Sequence, residues 1–245
     1  MANFPEVGPK RDAFILDAVN NNGSTINWHP IDIKFKDMEG TFFVTKDAIK
    51  IDGVRFNVSA QLQQKIADIL GCILPTAKLA DHIFFNAEVI IKPKMRNIDM
   101  STKAMIEHSK EIDKEINGRT GLVSTVGKHW IIDDCLLKKT PRTACNYGWH
   151  FKGGIPGVKG ELPICYNEMP GIRLIQSRGT FHDLTHQDYS QTCSLVAREC
   201  EINGEKKDIL DILQHPQLSY LACHSGALKT LRQPGMPKSN ITIIF

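Results

Sequence analysis

The sequence predicts an α+β fold in which antiparallel sheets carry three or four helices on one side. Residues 31–58 alternate apolar and polar side chains, residues 59–118 follow the period of an α-helix, and strand-like segments return further along. The regular strand–helix–strand alternation of a parallel sheet is missing, as are the G-x-G-x-x-G and P-loop motifs. We expect one domain over residues 1–245, with 1–30 and 232–245 as candidate peripheral extensions.

The alternating segments IDIKFKD, GTFFVTKD and AIKIDGVRFNV predict short strands joined by tight turns. The turn signals in this region are Gly40 and the pair Asp52-Gly53. An Asp-Gly pair between two alternating runs is typical of a two-residue hairpin, because both positions accept a positive φ. We therefore expect antiparallel strands on either side of Asp52-Gly53.

Three helices are expected after these strands. Ser59 caps the first helix, SAQLQQKIADILG, and Gly71 ends it. The second helix is expected to begin near Pro75, the last residue of GCILP, because proline suits the first turn of a helix. The third helix begins at Ser101 or Thr102. The cysteine of GCILP then lies between two helices.

The second half of the chain is predicted mainly from its turn residues. GLVSTV and HWIID flank Gly127-Lys128, which fits a two-residue hairpin with His129 opening the second strand. Residues 140–180 are rich in Gly and Pro and predict a long surface loop around FKGGIPGVKGELP. TCSLVARECEINGEKKD predicts a strand that turns at its Asn-Gly pair, and DILDIL predicts a short helix.

The composition argues against several classes of function. A net charge of +3 with 23% charged residues offers no basic surface for nucleic acid or an anionic membrane. No run approaches the roughly 18 apolar residues of a membrane span, and MANFPEVGPKRDAF lacks the pattern of a secretory signal. The seven cysteines include no C-x-x-C pair, which argues against a structural zinc knuckle. We expect reduced thiols and a cytoplasmic protein, with release by lysis if a phage encodes it.

Cys72 and His129 form the first candidate constellation. Cys72 lies shortly before a predicted helix N-terminus, where the helix dipole favours a thiolate, and His129 lies on a following strand. Papain-like and NlpC/P60-like cysteine hydrolases use this chain order. The chain resembles them in that order alone, since GCILP stands in place of the D-C-[SG] motif of the NlpC/P60 family. The alternative is that Cys72 fills a small apolar gap between helices.

The segment FHDLTHQDYSQ, residues 181–191, is the second constellation. His182 and His186 are four residues apart, a spacing that places zinc ligands on one face of a helix. In an extended chain, Asp188 would instead orient His186, and Ser190 lies at the spacing of a serine nucleophile. The alternative is a hydrogen-bonded structural turn.

The third constellation is NYGWH, residues 146–150. Tyr147 and Trp149 stand beside His150, and Gly148 would let a ligand approach the backbone closely. An aromatic pair beside a histidine suits the wall of a binding site. A half-buried strand explains the same pattern equally well.

Several segments resemble a family of bacterial and phage-associated proteins that carries no stated activity. They include FVTKDAIKIDGVRFNVS, QQKIADILGCILPTAKLADHI, VSTVGKHWIID, NYGWH and the H-x-DYS-Q pattern of HQDYSQ, and the resemblance runs from about residue 40 to 235. NYGWH and HQDYSQ are its most specific parts. The resemblance implies that these polar clusters are recurring features of the family, without assigning roles to their residues.

The leading hypothesis is a hydrolase of an amide or peptide bond, with a cell-wall peptide or another polymer as substrate and no cofactor. Cys72 would be the nucleophile and His129 the general base, while His186 and Asp188 orient or polarise. The expected substrate contacts are Tyr147, Trp149, His150, Tyr189 and Ser190.

Two alternatives remain open from the sequence. In the first, a divalent metal such as zinc activates water and is held by His150, His182, His186 and Asp188. In the second, the chain is a non-enzymatic phage structural or host-interaction protein, and its histidine cluster only stabilises a loop.

Overall fold

The computed structural model describes residues 3–153 and 171–236 and confirms the α+β class. The strands are β1 (Ser24–Thr25), β2 (Trp28–Phe35), β3 (Met38–Thr45), β4 (Lys50–Ile51), β5 (Val54–Arg55), β6 (Cys72–Ile73), β7 (Lys128–Trp130), β8 (Thr143–Lys152), β9 (Ile172–Asp183), β10 (Val196–Ile202) and β11 (Glu205–Asp208). The helices are α1 (Pro9–Asn20), α2 (Ala60–Leu70), α3 (Ala77–Phe85), α4 (Thr102–Ile116), α5 (Ile209–Gln214) and α6 (Ser219–Ala222), with a 3-10 helix at Asp134–Lys138. Within the described residues, no helix has the length and apolar character needed to span a membrane.

The strands form three sheets whose paired strands run antiparallel. The largest sheet has the order β11-β10-β3-β2, with β6 also paired to β10. A second sheet has the order β7-β8-β9, and a third, small sheet has the order β1-β4-β5. The main hydrophobic core lies against the largest sheet, and a second core lies between α3 and β8, where Ala80 and Phe84 pack near Tyr147 and Leu174. This second core brings α3 and β8 together at the site described below.

The predicted hairpin at Asp52-Gly53 is confirmed. Ile51 pairs with Val54, and both turn residues have positive φ, 47° and 78°, as a type I′ turn requires. The prediction of a turn at Gly40 is wrong, because this residue lies inside β3. A Cβ there would stand 3.0 Å from the Ile202 Cδ1 atom, so glycine serves close packing.

The helix boundaries agree with the predicted capping residues at two of the three helices. The Ser59 and Ser101 hydroxyls accept the backbone N–H of Leu62 and Ala104, as N-caps do. Pro75 is not in the first turn of α3, because Thr76 is the N-cap. The Pro75 carbonyl instead accepts the backbone N–H of Ile132.

The predicted hairpin at Gly127-Lys128 is wrong. β7 pairs with β8, and Val123, which was expected on the first strand, bridges Val89 in parallel. A Cβ at Gly127 would lie 2.1 Å from the Ser190 carbonyl oxygen. Glycine is therefore needed here for the close approach of two backbones, which a local pattern does not distinguish from a turn.

Within the Gly- and Pro-rich region 140–180, β8 and β9 form a paired ladder, and Phe151 and Lys152 of the predicted loop segment FKGGIPGVKGELP belong to β8. Most of FKGGIPGVKGELP, from residue 154 onward, lies outside the described residues. At the amino-terminal end, α1 was not predicted, and it buries Ile15 and Val19 in the main core.

Candidate functional site

The carboxylate of Asp81, on α3, accepts hydrogen bonds from three distant side chains. Its Oδ1 atom accepts the Tyr147 hydroxyl at 2.7 Å and lies 2.7 Å from His150 Nε2. Its Oδ2 atom lies 2.8 Å from His224 Nε2. Asp81 itself has no exposed surface. We call Asp81, Tyr147, His150 and His224 the Asp81 cluster.

NYGWH supplies two members of the Asp81 cluster because β8 is irregular at its centre. In a regular strand, Tyr147 and His150 would point to opposite faces. Gly148 and Trp149 instead have positive φ, 102° and 58°, and the pairing of β8 with β9 shifts its register just before them, between Asn146 and Gly148. This irregularity turns both side chains toward one carboxylate, which explains the aromatic, glycine and histidine spacing of the motif.

The charge of Asp81 is maintained by its donors. Burial alone raises the pKa of a carboxyl, but hydrogen bonds from His150, His224 and Tyr147 together outweigh it and hold the Asp81 pKa below its usual value. His150 is fully buried and its ring stacks on Phe84, so it cannot reach a substrate. His224 keeps 26% of its side chain exposed and is the member that faces solvent.

His129 is buried beside the Asp81 cluster. Gly148 lies between its ring and His150, since a Cβ at Gly148 would stand 3.3 Å from both rings. Burial and, to a smaller extent, the neighbouring His150 ring lower the His129 pKa to about 3. Among the described residues, neither His129 ring nitrogen has a hydrogen-bond partner, and the same is true of His150 Nδ1. Three buried nitrogens without partners in one place are typical of a functional region, because such atoms lower stability.

A narrow cleft opens next to His224. It has a volume of about 40 Å³, enough for a water molecule. Its polar lining consists of Thr76, Lys78, Asp133, Arg178, Cys223, His224 and Ser225. The Arg178 guanidinium donates to Asp133 at 3.0 Å, and the Cys223 thiol lies 3.3 Å from the Ser225 hydroxyl.

The Cys72 thiol is not in contact with His129. The Cys72 thiol donates to the Leu70 carbonyl at 3.3 Å, and burial raises its pKa to about 12. Cys72 lies in β6, four residues before the N-cap of α3, so the expected effect of a helix N-terminus does not reach it. It belongs to the main hydrophobic core, and its edge lines a separate groove of about 790 Å³.

The polar groups of residues 182–191 bond both within the segment and to Lys128 and Asn57 on other parts of the chain. Asp188 accepts the Lys128 ammonium at 2.7 Å and the Ser190 hydroxyl at 2.5 Å. The Ser190 hydroxyl is therefore committed to Asp188, and its residue is 1% exposed. Gln187 donates to the Asn57 carbonyl, which ties the segment to the start of α2. These contacts are those of a structural turn.

His182 and His186 form a stacked pair. Their ring centres are 4.0 Å apart and both rings meet the edge of Trp130. His186 Nε2 lies 3.8 Å from Asp188, which exceeds hydrogen-bond distance. Burial lowers the His182 pKa, and the charges of His186 and Lys128 add to this effect.

The four residues of the alternative metal site are not brought together. His182 pairs with Ala144, and His150 lies six residues further along β8, about 20 Å away at the rise of a strand. His150 also faces Asp81 on another element. Over residues 3–153 and 171–236, no three His, Cys, Asp or Glu side chains form a group that could hold a metal ion.

The expected substrate wall is buried. Tyr147 and Trp149 are at most 2% exposed. The Trp149 ring lies 6.2 Å from Tyr189, whose hydroxyl accepts the backbone N–H of Arg96. These aromatic rings therefore pack β8 against the 182–191 segment.

Sequence reasoning missed the centre of the site. Asp81 interrupts an apolar helix face in AKLADHIFF, and a carboxylate at a buried helical position was the available signal. His224 and Cys223 gave no signal, because 143 residues separate His224 from Asp81.

Comparison with known proteins found no match among family models, curated proteins or solved structures. The resemblance drawn from NYGWH and HQDYSQ stays a prediction. Function is therefore argued from the site alone.

Proposed function

We propose that the protein is a hydrolase of amide or peptide bonds in which His224, oriented by Asp81, is the general base. The observation that carries this proposal is the 2.8 Å contact between the buried Asp81 carboxylate and the partly exposed His224 ring at the edge of a cleft. A cell-wall peptide stays one candidate substrate.

The geometry favours one tautomer of His224. A carboxylate accepts a proton from the ring nitrogen it contacts, so Nε2 carries the hydrogen and Nδ1 is the basic atom. The same carboxylate stabilises the imidazolium once the base has taken a proton. Tyr147 and His150 hold Asp81 from the other side, which keeps the carboxylate fixed while His224 changes its charge.

Cys223 is the proposed nucleophile. Its thiol lies in the cleft lining with His224, and burial raises its pKa, so the group is a neutral thiol that needs a base. The class of mechanism is the cysteine–histidine hydrolysis expected from the sequence, but the residues are different. Cys72, with its thiol bonded to a backbone carbonyl inside the core, is not used.

Two cationic side chains complete the cleft. Lys78 is 7% exposed and its ammonium donates to the Tyr220 carbonyl, and the Arg178 guanidinium donates to Asp133. Positive charge fixed beside the reacting bond stabilises the oxyanion that forms when a nucleophile adds to a carbonyl. Lys78 and Arg178 are therefore assigned this electrostatic role.

The test is hydrolysis of a panel of fluorogenic peptide amides that includes D-amino-acid peptides of the cell-wall type. His224→Asn is expected to lower kcat about 10²–10⁴-fold, as loss of a general base does. His29→Asn is the matched control, because His29 is a partly exposed histidine on β2 whose ring lies near Glu88. No hydrolysis of any panel member by the unchanged protein would contradict the proposal.

The nucleophile is tested by two alanine variants of buried cysteines. Cys223→Ala is expected to lose activity, and Cys72→Ala is expected to keep it. Activity in Cys223→Ala together with its loss in His224→Asn would make a water molecule in the cleft the nucleophile. Loss of hydrolysis in Cys72→Ala but not in Cys223→Ala, with the fold intact by circular dichroism, would identify Cys72 as the nucleophile, as the sequence analysis expected.

A second candidate is the non-enzymatic structural protein. The observation in its favour is the hydrogen bonding of Asp188, Ser190 and Lys128 to one another, which is what loop stabilisation requires. Under this proposal, His224→Asn would lower the melting temperature and His186→Asn would do so as well, with no hydrolysis at any stage.

A further inference from the structure

Cys135 and Cys145 are a pair of reduced thiols in contact. Their sulfur atoms are 3.7 Å apart. Cys135 lies in the 3-10 helix Asp134–Lys138 and is partly exposed, whereas Cys145 lies in β8 and is fully buried. The Cys145 carbonyl accepts the backbone N–H of Ile131, so the chain before the 3-10 helix is fixed against the strand that holds Cys145.

We propose that Cys135 and Cys145 form a redox-active dithiol that closes to a disulfide in response to small-molecule disulfides such as oxidised glutathione. A disulfide needs a sulfur–sulfur distance of about 2.05 Å, so the two sulfurs must approach by less than about 2 Å. Small rotations of two side chains supply such a movement. The backbone contact at Ile131 stays in place meanwhile.

The exchange runs in two balanced steps. The Cys135 thiolate attacks one sulfur of the small disulfide, which forms a mixed disulfide on Cys135 and releases one small thiolate. The small thiolate released in this step accepts the Cys145 proton. The Cys145 sulfur then attacks the sulfur of Cys135, which breaks the mixed bond and releases the second small molecule as its thiolate. One small disulfide is reduced, and the two protein thiols are oxidised. Of the two cysteines, Cys135 reacts first, because it is partly exposed to solvent and Cys145 is buried.

The bridge would act on the cleft beside His224. Asp133, which lines the cleft, accepts the backbone N–H of Cys135 at 2.7 Å. Cys145 is two residues before Tyr147 on the same strand. Oxidation would therefore link the wall of the cleft to the strand that supports Asp81. This effect on activity rests on the proposed function, whereas formation of the bridge does not.

The test exposes the native full-length protein to oxidised glutathione, blocks remaining thiols with N-ethylmaleimide and maps the tryptic peptides. Trypsin separates the two cysteines, because Cys135 falls in HWIIDDCLLK and Cys145 in TACNYGWHFK, each with one cysteine. The expected result is a linked pair of these peptides, with two of the seven thiols lost. The bridge is expected to raise Tm by about 5 °C, as short loops closed by a disulfide do.

Matched variants separate the two steps. Cys145→Ser should stop at glutathione on Cys135, and Cys135→Ser should leave Cys145 reduced. The fully buried Cys193 serves as the internal control and should be modified only after unfolding. A native protein that stops at the mixed disulfide on Cys135, that keeps both thiols reduced, or that links either cysteine to Cys165 would overturn the proposal.

Discussion

Around Asp81, donors arrive from β8 and from the chain after α6. In residues 182–191, by contrast, Asp188 and Ser190 bond to each other, and Lys128 and Asn57 tie the segment to the rest of the fold. Both regions are rich in histidine and aspartate. The Asp81 cluster includes a fully buried carboxylate and a partly exposed imidazole, and it lies beside a cleft. In the 182–191 segment the Ser190 hydroxyl and the Asp188 carboxylate have partners, whereas His186 Nε2 and Gln191 Nε2 have none among the described residues.

This difference shows that the density of titratable residues in a sequence does not locate a site. The segment 181–191 has two histidines and two aspartates, yet Asp183 and Asp188 bond to Thr185 and Ser190 within the segment, as in a turn. A functional site requires groups that converge from different elements and that can still bind a ligand or substrate. Buried ring nitrogens without a described partner occur in both regions, at His129 and His150 and also at His186. The Asp81 region differs in its buried carboxylate, which takes donors from separate elements.

The sharpest test of the comparison replaces one aspartate in each region. Asp81→Asn is expected to lower kcat about 10³–10⁴-fold, because an amide favours the wrong tautomer of His224. Asp188→Asn is expected to leave kcat within about two-fold and to lower the free energy of unfolding by about 2–3 kcal/mol, since Lys128 loses its partner. The measurements are kcat on the cleaved peptide and urea unfolding.

The opposite result for these two variants would reverse the roles of the two regions. If Asp188→Asn removed activity while Asp81→Asn only lowered stability, the reactive site would lie in the 182–191 segment. Circular dichroism of both variants at the assay temperature serves as the control for folding.

The correct sequence predictions were those in which the deciding chemistry is local. Asp52-Gly53 forms its hairpin and Ser59 caps its helix because a turn or a cap is specified by a few neighbouring residues. Gly40 and Gly127 were predicted to lie in turns. Each is instead needed because the backbone there lies very close to a residue distant in the chain, Ile202 for Gly40 and Ser190 for Gly127. Long-range packing decides such positions.

The candidate site shows the same difference between local and long-range determinants. The importance of NYGWH was visible in its composition, but its role came from a shared partner on another element. Asp81 lies 66 residues before Tyr147, and no spacing rule links the two. Cys72 and His129 were joined by chain order, which carries no information on distance, and the fold places them in different sheets.

Acid is expected to destabilise both regions through buried histidines. Burial lowers the pKa of His129 to about 3 and that of His108, which packs near Tyr189, to about 4. Below about pH 6.5 the unfolded chain binds protons on these rings, whereas the folded protein does not, so stability is lost as the pH falls. Each ring contributes a slope of up to about 1.4 kcal/mol per pH unit, down to its folded pKa.

The measurement is the free energy of unfolding in urea from pH 7.5 to pH 4. His108→Gln should reduce the slope of this curve by the contribution of one imidazole ring. A stability that stays constant between pH 6.5 and pH 4.5 would show that these imidazoles accept protons freely in the folded state.

Gly148→Ala tests the irregularity of β8. The residue has a φ of +102° and would place its methyl group 3.3 Å from the rings of His129 and His150. We expect a loss of about 1–3 kcal/mol in stability and a reduced kcat, because Tyr147 and His150 lose their common orientation. Gly204→Ala is the control, since its φ of +81° imposes similar backbone strain with nothing within 4 Å. Equal effects in the two variants would remove any special role for this part of NYGWH.

Ser190→Ala has the smallest expected effect and separates the two interpretations of HQDYSQ. The Ser190 hydroxyl donates to Asp188 at 2.5 Å, and a single hydrogen bond of this kind contributes about 1 kcal/mol. Asp188 keeps its contacts with Lys128 and with the Ser190 backbone N–H, so the turn should persist. Unchanged kcat with a loss of about 1 kcal/mol supports a structural segment, because a nucleophilic serine could not be removed without loss of the reaction.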